Sequence, residues 1–164
     1  MPKVIENLRS RLIGEAQKQV REAGYSAMTI RSVAKACGVG TGTVYNYFPS
    51  KDALLAAGML EAWNGCMERI NAAADANELF RGIYDELRAY AAENGALFHD
   101  SAAAASYAGA FSRYHAVLRA QLAAPVRKIC RDDFTAEFIA EAMLTWTMAG
   151  KEYEMIYSVI EKLL

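Results

Sequence analysis

Residues 29–48 read TIRSVAKACGVGTGTVYNYF, and the spacing of this stretch decides the fold. Val33, Val39, Val44 and Phe48 are apolar at the positions where two short helices must pack on each other and on a helix before them. Ala34 and Gly38 are small where backbones come close, and Gly38, Val39 and Gly40 form a tight turn. Two short helices joined by a glycine-containing turn make a helix-turn-helix, whose second helix lies in the major groove when the motif binds DNA. Thr41, Gly42, Thr43, Tyr45, Asn46 and Tyr47 are then left on the outer face. Hydroxyls, an amide and bare backbone there suit phosphates and base edges. A purely structural hairpin leaves two outward tyrosines without a reason. The glycines do not form a nucleotide loop, because the third is misplaced for GxGxxG and a helix rather than a strand precedes them.

Working outward, residues 5–23 carry Ile5, Leu8, Leu12, Ala16, Val20 and Ala23 at three-and-four spacing, and Gly24 stops that helix. Thr29 opens the next by accepting from a free first-turn amide, with Met28 stapled toward Val33. Pro49 ends the recognition helix, and Ser50 caps a longer one with apolar positions from Leu55 to Ile70. Further helices are expected from Leu79 to a stop at Asn94 and Gly95, over residues 101–124, from the Asp132–Asp133 pair to Ala149, and from Tyr153 to Leu164. Pro49 and Pro125 are both expected at helix breaks. Thirty-one alanines against three prolines agree with an all-α chain of about eight helices.

The segment from Arg9 to about Leu55, centred on YSAMTIRSVAKACGVGTGTVYNYFPSKDALL, resembles the DNA-binding domain of TetR-family transcriptional regulators. That resemblance covers about a third of the chain. It implies a DNA-binding domain over residues 1–52 and a helical ligand-binding and dimerisation domain over 53–164. It also implies a homodimer on a palindromic double-stranded operator, and a small-molecule effector. Residue by residue, Thr29 matches a phosphate-touching helix start, and Thr41, Gly42, Thr43 and Asn46 match the groove-facing positions. Tyr45 and Tyr47 match phosphate-contacting aromatics, and Lys51 the lysine just after them. Gly40 and Gly42 stand where many members carry larger side chains, which shifts specificity toward DNA shape.

Met59, Trp63, Met67, Tyr84, Leu87, Phe98, Tyr107, Phe111, Tyr114 and Met143 are the side chains available to line an effector cavity between the middle helices, although such stripes are often plain core. Apolar groups ring the helix that holds Phe138, Ala142, Met143 and Trp146, so one face packs internally and another needs a partner. With Tyr153, Ile156, Tyr157 and Ile160 of the last helix, Phe138, Ala142 and Trp146 form the expected dimer interface. The helix over residues 50–70 carries Gly58 and Gly65 and is the expected hinge in a ligand-released repressor. An architectural or adaptor protein without an inducer is the alternative.

Composition narrows the remaining classes. Cys37, Cys66 and Cys130 are far apart and only two histidines, His99 and His115, are present, so neither a disulfide framework nor a metal site is expected. No nucleophile elbow or Glu-x-x-His occurs, and neither an enzyme nor a cofactor is expected. No apolar run approaches the ~18 residues of a membrane span, and the charged N-terminus is unlike a secretory signal, so a cytoplasmic location is expected. The net charge of −1 conceals a split: residues 1–52 hold eight Lys and Arg against four acids, and residues 53–164 hold ten against fifteen. A basic half joined to an acidic half suits DNA at one end only.

Overall fold

The computed structural model describes residues 7–164, except for the side chains of residues 108–112. Its described residues form eight helices and no strand: α1 (Leu8–Ala23), α2 (Ile30–Cys37), α3 (Thr41–Tyr47), α4 (Lys51–Asn71), α5 (Ala76–Phe98), α6 (Ser101–Val126), α7 (Asp133–Met148) and α8 (Tyr153–Ile160). The chain divides into two compact units. The first takes in residues 1–62 and 94–107, and the second residues 63–93 and 108–164. The expected boundary at residue 52 lies inside the first unit.

The first unit is built on one apolar cluster. Leu12 and Ala16 of α1, Val33 and Ala34 of α2, Val44 of α3 and Leu54 of α4 are almost wholly buried in it, and Met28 and Phe48 join from the connecting segments. Gly24 and Gly38 have φ of 86° and 71°, the left-handed backbone that ends α1 and α2. Ser50 Oγ accepts from Ala53 N at 3.0 Å, so α4 opens on the expected cap. The Ile5 end of the first expected helix lies outside the described residues.

Two helix ends differ from expectation. Asn94 and Gly95 do not close α5, which runs on to Phe98. Asn94 is buried within the helix, and Leu97 beyond it is buried in the first unit's cluster, so burial outweighs the ~1 kcal/mol that a glycine costs. The break comes at Asp100, whose Oδ1 accepts from Ala102 N and Ala103 N at 2.9 and 3.0 Å and so caps α6. Pro125 stands inside the last turn of α6 rather than beyond it. Only one residue follows it in that helix, so its missing N–H removes a bond where the helix is already ending.

The second unit buries Phe80, Ile83 and Leu87 of α5, Leu122 of α6, Ile139 and Met143 of α7 and Ile160 of α8. Asp132 caps α7 by accepting from Thr135 N at 2.8 Å, and Gly150, with φ of 77°, turns the chain toward α8. Arg69 of α4 grips Glu86 of α5 through two bonds of 2.6 and 2.7 Å. Beside that pair, burial pushes the Cys66 thiol up to about 11, which keeps it an inert core group. Among the described residues no helix is long and apolar enough to cross a membrane, and no three His, Cys, Asp or Glu side chains gather as metal ligands would.

Candidate nucleic-acid interface

The interface begins at the first residue of the quoted stretch. Thr29 has extended backbone (φ −133°, ψ 154°), its Oγ1 accepts from Ser32 N at 3.0 Å, and Ser32 Oγ accepts from Thr29 N at 3.1 Å. This reciprocal capping box fixes where α2 starts. Ser32 Oγ also lies 2.5 Å from Gln19 Oε1, and Gln19 Nε2 donates to Glu15 Oε1 at 2.8 Å, which ties the box to α1. The Thr29 oxygen is used inward as an acceptor, while its hydroxyl proton remains for an acceptor outside.

The turn into α3 is held at both ends. Val39 N donates to Ala34 O at 2.9 Å, and Arg11 of α1 donates to the Cys37 carbonyl at 3.3 Å. These bonds satisfy carbonyls that the end of a helix leaves open. Gly40 is the N-cap of α3 and supplies no side-chain cap, so the first-turn amides of α3 have no side-chain acceptor there. Val44 and Phe48 point inward and are buried.

Inward Val44 and Phe48 oblige the rest of α3 to face out. Thr41, Gly42 and Asn46 are exposed, Tyr45 and Tyr47 are 54% and 47% exposed, and Thr43 is half-buried. One short helix therefore presents hydroxyls, an amide, two phenols and one residue without a Cβ around its solvent-facing side. No Cβ built at Gly42 meets another atom within 4 Å. Lys51, expected beside these groups, is half-buried: its ammonium donates to the Tyr25 carbonyl and lies 3.8 Å from the centre of the Tyr25 ring. Burial holds its pKa below the usual lysine value.

Two exposed cations on α2 extend this surface beyond the residues expected from the sequence. Arg31 and Lys35 are four residues apart and share the solvent face of α2. The first helix of such a motif crosses the DNA backbone, so that i, i+4 spacing was the available signal.

The ten side chains expected to line an effector cavity fall in different surroundings. Met59 and Tyr107 pack on the first unit's core, and Phe98 is half-buried. Trp63, Leu87, Tyr84 and Met143 are buried in the second unit, where Trp63 Nε1 donates to Gln121 Oε1 at 2.5 Å and the Tyr84 hydroxyl donates to the Lys151 carbonyl at 3.1 Å. Met67 is half-buried and Tyr114 exposed, while the Phe111 side chain lies outside the described residues. The second unit has a groove of about 160 Å³ lined by Ile70, Leu79, Pro125, Lys128 and Ile129 among others, and by none of these ten. It is smaller than the ~300–1,000 Å³ usual for small-molecule sites.

The seven expected dimer residues also divide. Phe138 and Trp146 of α7 are about half exposed and Ala142 is half-buried. Tyr153, Ile156 and Ile160 of α8 are buried within the chain, and Tyr157 is half-buried. They turn inward because α8 meets the aromatic side of α5: Tyr153 meets Tyr84 at 5.4 Å and Tyr157 meets Phe80 at 5.9 Å between ring centres. Besides Phe138 and Trp146, the apolar groups left outside on these two helices include Phe134 and Met148 on α7 and Met155 and Val159 on α8.

Comparison with known proteins bears on the N-terminal part most directly. The model of the family of bacterial regulatory proteins named tetR matches residues 12–57. HbdR, an HTH-type transcriptional regulator of Aromatoleum sp. (strain CIB), is 41% identical over 54 residues, which are 33% of this chain and 24% of that protein. BetI, an HTH-type transcriptional regulator of Burkholderia mallei (strain NCTC 10229), is 38% identical over 82 residues, 46% of this chain and 42% of that protein. The chain thus spans less than half the length of these curated relatives. The fold extends further: the structure of SCO7518 from Streptomyces coelicolor A3(2) superposes with a TM-score of 0.71 at 17% identity, covering 94% of this chain and 96% of that one.

Proposed function

We propose that the chain, whose residues 12–57 match the model of the tetR family of bacterial regulatory proteins, is a DNA-binding transcriptional regulator acting as a homodimer on a palindromic operator. The observation that carries the reading is the outer face of α3, where Thr41, Gly42, Thr43, Tyr45, Asn46 and Tyr47 stand opposite buried Val44 and Phe48. α3 enters the major groove; Thr29, Tyr45, Tyr47 and Lys51 meet phosphates, with Arg31 and Lys35 beside them. A two-fold dimer sets the two recognition helices ~34 to 36 Å apart, one turn of DNA. A small-molecule effector releases the repressor by favouring a dimer whose helices no longer match that spacing. The second reading, a DNA-binding architectural or adaptor protein without an inducer, is favoured by the complete burial of Trp63, Leu87 and Met143.

The test is enrichment of duplexes from a randomised pool, followed by titration at two salt concentrations. A palindromic consensus and a steep loss of affinity with salt are expected. Replacing Tyr45 with Ala lowers affinity across sequences, and Arg31→Ala also reduces the salt slope by about one. Failure of the wild-type chain to enrich any duplex sinks the reading.

A further inference from the structure

The geometry points to Asp52 as a positioning residue of the DNA interface, acting through Tyr25 and Lys51; this rests on the DNA-binding reading above. Asp52 lies in the first turn of α4, and three side chains from two segments remote in sequence converge on it. The Tyr25 hydroxyl donates to Oδ1 at 2.6 Å, and Ser106 Oγ donates to Oδ2 at 2.5 Å. The Tyr107 hydroxyl donates to the Asp52 carbonyl at 3.1 Å. Both carboxylate oxygens and the backbone oxygen therefore hold side chains from the α1–α2 connection and from the start of α6.

The consequence passes through Tyr25. Its hydroxyl is anchored by Asp52, its carbonyl accepts from Lys51, and its ring lies beneath the same ammonium at 3.8 Å. The Tyr25 ring thus sets where the Lys51 cation stands. Tyr25 also lies four residues before Thr29, the cap that fixes the start of α2. Burial, and then the bond to Asp52, hold the Tyr25 hydroxyl above its ordinary pKa, so it stays protonated as a donor.

Asp52 is not needed to cap α4, because Ser50 already does so. Nor does a carboxylate attract phosphate; by charge alone it weakens DNA binding. Its contribution is geometric, and that gives the effect a sign opposite to the electrostatic one.

The experiment compares the full-length wild type with Asp52→Asn, Tyr25→Phe and the double variant, on a duplex the wild type has enriched from a randomised pool. Positioning predicts that Asp52→Asn binds about tenfold more weakly despite losing a negative charge. Tyr25→Phe, which changes no charge, is expected to lose a similar factor, and the double variant little more, as coupled neighbours do. Hydrogen exchange supplies the second readout: amides over residues 25–32 exchange faster in both single variants while those of α7 do not. Asp52→Asn binding as tightly as wild type or tighter overturns the proposal, as do losses that add in full or exchange that rises equally in α7. A wild-type chain that enriches no duplex overturns the DNA-binding reading itself.

Discussion

Gly42 separates the demands of folding from those of binding at the scale of a single residue. It lies in a seven-residue helix, exposed, with nothing within 4 Å of where its Cβ would stand. Glycine in a helix is less stable than alanine by roughly 0.5–1 kcal/mol, so the fold alone gains from Gly42→Ala. The substitution is expected to raise the melting temperature by about 1–4 °C, measured by circular dichroism. It is also expected to weaken binding to the enriched duplex, because the added methyl stands where α3 meets DNA. Gly14 of α1 is exposed with the same open space, so Gly14→Ala is the control: similar stabilisation with unchanged binding. Equal binding by both variants removes Gly42 from the interface. The outward set on α3 was legible from the sequence because two buried positions, Val44 and Phe48, oblige its other residues to face out. The setting of Lys51 was not legible, since Tyr25 lies 26 residues earlier and no periodicity links them.

Among the helices, α4 shows how one residue type serves different ends. The sequence presents Gly58 and Gly65 as equal weak points in a hinge. In the structure a Cβ on Gly58 would stand 2.9 Å from Ile13 Cγ2 and 2.8 Å from Gln17 Nε2, so this glycine lets α4 approach α1. At Gly65 the nearest group is the guanidinium of Arg69 at 3.3 Å, the far end of a long side chain. Gly58→Ala gains ~1 kcal/mol in helix propensity but overpacks a buried contact at a typical cost of about 1–3 kcal/mol. Net destabilisation is therefore expected for Gly58→Ala in urea titration, and stabilisation by roughly 0.5–1 kcal/mol for Gly65→Ala, where only a flexible side chain has to move aside. Equal effects at both positions contradict the close-approach account. The two roles look alike in sequence because the distinction depends on what lies across the helix. Helix starts at Thr29, Ser50 and Asp132 were legible through their caps, whereas the continuation of α5 past Gly95 was not, since the burial of Leu97 that sustains it is tertiary.

For the whole molecule, charge and exposed apolar surface lead to the same assembly. The first compact unit holds eight Lys and Arg against six Asp and Glu, and the second ten against thirteen, so the sign contrast seen in the sequence persists on the structural division. The second unit gains nothing from phosphate, yet it carries the largest apolar groups left in solvent. Phe134, Phe138 and Trp146 are 79%, 52% and 50% exposed, and with half-buried Ala142 they follow one another at four-residue intervals along α7. Met155 and Val159 repeat that spacing on α8. A stripe of this kind is the face a helix turns to a partner, and a second copy is the occupant that the proposed palindromic operator would require. The residues to change are therefore the outward ones, not the inward Tyr153, Ile156 and Ile160, whose loss would unfold the chain. Phe138→Glu combined with Trp146→Glu is expected to leave the melting curve nearly unchanged at low protein concentration. The same pair should convert the sedimenting species from a dimer to a monomer of 18.0 kDa. DNA affinity should fall by far more than the added charge explains, because a monomer engages one half-site where the dimer engages two. Leu60→Glu, at an exposed apolar residue of α4 in the first unit, is the control for added charge alone and should leave the dimer intact. A wild-type chain that sediments as a monomer while still binding a palindrome tightly would remove α7 as the dimer face.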